Sequence, residues 1–183
     1  MRARLVVAAF AALLVAGCAQ SPSGTTGGTG STSTSTSSAA VTDKQFVADA
    51  ASMGLNEVSV GRLAAERASS PQVRSFGRHM AEEHGRNNDR LRAAASQAAV
   101  PVPSQPDREE IAKMDKLDDL SGPAFDRAFV NQMVADHQEA VRLFEQQANQ
   151  GQNPSLRTYA TQTLPRLRQH LSDAQALARS QGG

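Results

Sequence analysis

The chain has 183 residues, with 19 Lys and Arg against 18 Asp and Glu, for a formal net charge of +1 at pH 7. That length holds one ordinary domain, and the balanced charge leaves no electrostatic footprint for nucleic acid as a partner. A single cysteine rules out a disulfide framework or a Cys-rich metal knuckle, and 4% aromatics without tryptophan argue against a base-stacking or sugar-binding face.

Arg2 and Arg4 open the chain, Leu5 to Val15 form a short apolar run, and Ala16, Gly17 and Cys18 follow. This is the three-part layout of a secretory signal, and its apolar run is too short to span a bilayer permanently. Leu14-Val15-Ala16-Gly17-Cys18 resembles the bacterial lipobox, in which the cysteine is lipid-modified and becomes the first residue after cleavage. The resemblance implies a lipoprotein signal peptide over 1–17 and a cell-envelope protein whose lipidated Cys18 anchors it to a membrane. Ala19 is not the aspartate that usually retains lipoproteins in an inner membrane, so in a cell with two membranes the expected location is the outer one, facing the periplasm. Cleavage removes Arg2 and Arg4 and leaves 17 basic against 18 acidic side chains, formally −1. Ser21 to Ser38 are only Ser, Thr, Gly and Pro, which have no apolar surface to bury. Residues 18–41 are therefore expected to be the lipidated cysteine and a disordered tether, with an r.m.s. reach of roughly 27 Å.

Residues 42–180 carry helical signals and no convincing period-2 strand. Thr42 and Gln45 form a capping-box pattern that starts a helix running to about Ser69. Ser70-Pro71 opens a second, to about Ala99. Pro101, Pro103 and Pro106 break the chain, and Asp107 to Leu120 read as a short charged connecting helix. Ser121-Gly122-Pro123 restarts a long helix to about Asn149, and Asn153-Pro154 caps the last, to about Arg179, with Pro165 expected to kink it. Four long helices with two tight turns and one crossover predict an all-α four-helix bundle.

Each long helix has an apolar stripe with one polar intruder. Glu57 lies among Met53, Gly54, Val60 and Gly61, and His84 among Met80, Ala81 and Leu91. His137 lies among Met133, Ala140 and Val141, and His170 beside Leu167, Leu171 and Ala174. Helical rise sets all four near mid-bundle, whichever way the crossover runs. His79 falls roughly opposite His84 on the second helix, away from this group. Three imidazoles and a carboxylate at one level are a ligand set for Zn, Fe, Mn, Cu or Ni, with no preference among them. A metal-free Glu–His cluster that fixes helix register satisfies the same pattern, and both readings stay open here. Asp126 and Asp136 are candidate carboxylates for orienting a metal-bound histidine, or ordinary helix residues.

A di-iron oxidase carries Glu-x-x-His on two of its helices. The residues three before His84, His137 and His170 are Ala81, Val134 and Leu167, which argues against di-iron oxygen chemistry. No Gly-rich phosphate loop, nucleophile elbow or cysteine nucleophile is present, so an enzyme is the less favoured reading.

Three ordered blocks carry a family resemblance: Phe76-Gly77-Arg78-His79-Met80-Ala81-Glu82-Glu83-His84, Leu120 to Asp126 continuing through Met133 to His137, and Leu164 to Leu171. They resemble the bacterial envelope family called domain of unknown function 4142. The resemblance spans about 43–180 and implies a ferritin-like bundle, with Glu57, His84, His137 and His170 at the family's characteristic polar positions. Glu83 stands where an Asp is more usual, and Phe129 where a Tyr is more usual. The family has no settled activity. The expectation is therefore a lipid-anchored protein whose bundle binds a transition metal for storage, sensing or stress protection. A structural or protein-interaction bundle with a metal-free polar cluster and a non-standard redox enzyme are the alternatives. A protein partner in the envelope fits either a storage or an interaction role, and the sequence leaves the oligomeric state open.

Overall fold

Four of the five helices begin at a residue whose side chain caps the first turn, and the fourth in chain order begins at Ser121 without a side-chain cap bond. In the computed structural model, which describes residues 42–181, the elements are α1 (Asp43–Arg67), α2 (Pro71–Gln97), α3 (Arg108–Asp118), α4 (Gly122–Gln150) and α5 (Pro154–Gln181). The expected signal sequence, Cys18 and the expected tether lie outside the described residues, which contain no strand. No helix among them is long and apolar enough to cross a membrane. The Thr42 hydroxyl accepts from the Gln45 amide N–H, and Asp107 and Asn153 each accept from two first-turn amides. Only half of the α1 capping box forms, because the Gln45 side chain donates to Asp49 instead. Pro165 stays inside one continuous helix.

Hydrogen bonds across the bundle fix its direction. Along α1 and α3, Ser52 accepts from the Asp107 amide, Asn56 donates to Glu110, and Arg67 pairs with Asp118. The connecting helix thus runs parallel to α1 and carries the chain back to the end where α1 and α2 meet. From there α4 runs antiparallel to α1, and α5 returns, giving an up-down-down-up bundle. α1 packs on α2 and α4 on α5, with α1–α4 and α2–α5 closing the ring.

The two tight turns are held alike. Asp126, at the start of α4, accepts from the Ser69 and Ser70 amides and the Ser69 hydroxyl. Asp43, at the start of α1, accepts from the Gln152 and Asn153 amides and the Gln147 side chain. Arg74 and Arg157, each four residues after the N-cap, donate to two carbonyls of the turn before them. The same clamp, built from Ser-Pro-x-x-Arg at 70–74 and Asn-Pro-x-x-Arg at 153–157, closes both hairpins.

Small residues set how closely α1 meets α2. A Cβ on Gly61 would lie 2.7 Å from the Gly77 carbonyl oxygen and 2.9 Å from the Ala81 nitrogen, so the backbones approach too closely for any side chain there. Gly54 faces Asn88 further along the seam. The step between these contacts brings Glu57 opposite His84.

The apolar core is split. One cluster holds Met53, Leu91, Ala140 and Leu167, with Phe46, Phe144 and Tyr159 in ring contact. The other holds Val60, Met80, Met133 and Ala174, with Phe125 stacked on Phe129. On every long helix the break between the clusters falls at the polar intruder: Glu57, His84, His137 or His170. The bundle is therefore two hydrophobic cores separated by one polar layer.

Candidate metal centre

Four helices each send one side chain into that layer. Glu57, His84, His137 and His170 are all at most 3% exposed. Three ring-to-ring distances, 5.4 Å for His84–His137 and 5.3 Å for each of the other two pairs, make a nearly equilateral triangle. Each histidine offers a ring nitrogen, and these three atoms lie within 4.8 Å of one another.

Hydrogen bonding assigns the tautomers. The His84 Nδ1–H donates to Glu57 Oε2 at 2.7 Å, and a carboxylate that only accepts requires the proton on Nδ1. The His137 Nδ1–H donates to the Met133 carbonyl at 2.9 Å, with Glu57 Oε1 at 3.4 Å. His137 Nε2 is left with its lone pair, 3.4 Å from His170 Nδ1. His84 Nε2 and His170 Nε2 are buried without any partner. Burial pushes the Glu57 carboxyl up, but His84 and His137 outweigh it and hold it at about 2, so it is ionised at neutral pH. Burial lowers His137, and burial with the neighbouring rings lowers His170 to about 3. Both are neutral at pH 7, the state in which imidazole donates to a metal.

The triangle has the size a metal requires. A nitrogen about 2.0–2.1 Å from a metal puts its ring centre about 3.2 Å away, so two imidazoles at a tetrahedral angle have centres about 5.2 Å apart. The observed separations match. The donor atoms, within 4.8 Å of one another, have to draw in toward the roughly 3.4 Å of tetrahedral coordination when an ion binds.

The other two carboxylates are placed differently. Asp126 serves the α1–α2 turn and touches no histidine, which corrects the expected orienting role. Asp136 adjoins His137 in sequence but faces α3, where Lys113 lies 3.2 Å away. Burial and the Glu57 charge raise Asp136 to about 6, and its Oδ2 has no partner. Lys113 also binds Glu110 at 2.7 Å, and Glu110 accepts from Asn56 at 2.6 Å. This buried group beside the layer is not evident from the sequence. Glu110 is 5% exposed while its neighbour Ile111 is 40% exposed, the reverse of what hydropathy suggests for α3. His79 is the other unforeseen member. It is exposed, yet its ring lies edge-on to His170 with centres 5.6 Å apart. All four histidines of the chain thus form one connected group.

The family described as "Domain of unknown function (DUF4142)" matches residues 29–177. The chain belongs to this family. No curated protein sequence matches the chain. Solved structures share its fold, a helical ferritin-like bundle. A putative secreted DUF305 protein from Streptomyces coelicolor has a TM-score of 0.63 at 16% identity, covering 75% of this chain and 91% of its own. A DUF305 fragment from Deinococcus radiodurans has a TM-score of 0.64 at 19% identity, covering 74% and 94%. CopM in its Cu(I)-bound form has a TM-score of 0.64 at 18% identity, covering 78% and 99%. For this DUF4142 protein these likenesses establish the bundle, and the site rests on its own residues.

Proposed function

We propose that this DUF4142 domain binds a transition-metal ion in its mid-bundle layer through His84, His137 and His170, serving storage, sensing or protection of the cell envelope. The observation that carries the reading is a buried triangle of imidazoles in which two nitrogens, His84 Nε2 and His170 Nε2, have no partner. Orphaned buried polar atoms are costly, and an ion satisfies both at once. Glu57 then supports the site from behind. It fixes the His84 tautomer, increases the basicity of that ring, and offsets the charge of the metal in an apolar surround. That differs from the direct ligation expected for Glu57. All-nitrogen donors in a buried site suit copper or zinc better than magnesium, calcium or manganese. CopM, which has the same fold, has been solved in Cu(II)-, Cu(I)- and Ag-bound forms, in keeping with a copper-like ion.

The lipid anchor at Cys18 belongs to the same proposal and would hold the domain close to a membrane surface. Cys18→Ser is expected to move the protein from the detergent phase to the aqueous phase in a partition experiment. For the metal, elemental analysis of protein purified without chelator or affinity histidine tag is expected to find one ion per chain, and none in His84→Ala. A wild type that stays empty after soaking in copper and zinc salts would identify the layer as a metal-free register device.

A further inference from the structure

The proposed site is closed on all sides by helices. His84, His137 and His170 are 3%, 0% and 1% exposed, so an ion has to travel from solvent to a ligand set that solvent barely touches. A hydrated divalent ion does not cross packed apolar side chains without donors along the way. His79 is the one histidine outside the triangle, it is exposed, and it adjoins the triangle at His170 alone among the ring contacts.

We propose that His79 and His170 together form an outer station that captures a transition-metal ion from solvent and passes it inward to the buried triangle. This rests on the metal reading above. The 5.6 Å between the two ring centres is close to the roughly 5.2–5.5 Å of two imidazoles that share one ion at angles between tetrahedral and trigonal. His170 stands at nearly the same distance from His79 as from His84 and His137, so it belongs to both stations. Transfer is then a ligand exchange. His170 keeps hold of the ion while His79 and remaining waters leave and His84 and His137 replace them. No electron is moved.

The surroundings suit an entrance. Glu83 lies one helical turn after His79, and Arg166 one turn before His170. Glu83 is paired with Arg86 at 2.5 Å and Arg166 at 3.7 Å, so its carboxylate is already engaged beside His79. His79 is exposed, so its side chain adds little buried surface to the fold.

Stopped-flow loading of full-length, tag-free protein with Co(II), followed by its d–d absorbance, tests this. Wild type and His79→Ala are expected to reach the same final occupancy. Loading, and release to an external chelator, should both be slower in the variant by about tenfold or more, because a shared pathway slows in both directions. His79→Cys, which restores a donor, should recover most of the rate. His79→Ala loading at the wild-type rate overturns the outer station while leaving the buried site intact. His79→Ala that never fills shows His79 to be a resident ligand, which also overturns it. A wild type that binds no Co(II) removes the metal reading itself, and the station with it.

Discussion

Glu57, Asp126 and Asp136 are all buried carboxylates, yet each has a different set of partners. Glu57 accepts from the His84 Nδ1–H through Oε2, while its Oε1 lies 3.4 Å from His137 Nδ1 without a hydrogen-bond partner. Glu57→Gln retains an acceptor for the His84 Nδ1–H but loses the charge. Metal affinity is expected to fall about 10–100-fold, measured by competition with a chromophoric chelator, as for other carboxylates behind a metal-bound histidine. Asp126 meets two backbone amides and a hydroxyl at the α1–α2 turn. Asp126→Ala orphans those donors and is expected to cost about 3 kcal/mol in urea denaturation, with metal content unchanged. The contrast between the two variants separates a carboxylate that serves the site from one that serves the fold.

At the level of the helices, close approach and capping decide where the site residues meet. The α1–α2 seam is held together at Gly61 and Gly77, and this register brings Glu57 to His84. The end of α2 is less well made. Ala99 adopts φ +54°, and the Val100 amide donates back to the Ala95 carbonyl at 2.9 Å, the closing bond of a Schellman turn. Such a position favours glycine, because a Cβ in the left-handed region is strained. Ala99→Gly is expected to stabilise the domain by about 1 kcal/mol, visible as a higher urea midpoint without a change in slope. The connecting helix also does more than span the bundle. It brings Glu110 and Lys113 down beside Asp136, enclosing the layer on the α1–α4 side.

For the whole molecule, the core is divided into two apolar clusters, with Glu57 and the three histidines between them along the four long helices. A ligand that ties four helices together at that level should stabilise the folded state by mass action. At a hundredfold excess over its dissociation constant the gain is about 2.7 kcal/mol. For about 140 ordered residues this corresponds to a rise in Tm of roughly 10 °C, reversed by chelator, in scanning calorimetry of loaded and stripped protein. A Tm that ignores metal would show that the layer is already complete without an ion.

Much of this protein is written locally. Helix starts at Thr42, Ser70, Asp107 and Asn153 were legible because capping is a matter of a few adjacent residues. The convergence of Glu57, His84, His137 and His170 was legible because helical rise and the 100° step fix both height and face. The repeated Pro-x-x-Arg clamp was equally local and could have announced the paired hairpins. What the sequence could not supply was anything set by contacts between distant segments. The direction of α3, the assignment of Asp126 to a turn 56 and 57 residues away, and the inward turn of Glu110 all depend on partners on other helices. His79 is the clearest case. On its own helix it falls outside the apolar stripe, and only the approach of α5 brings His170 against it, since a helical wheel records the face of one helix and nothing of its neighbour.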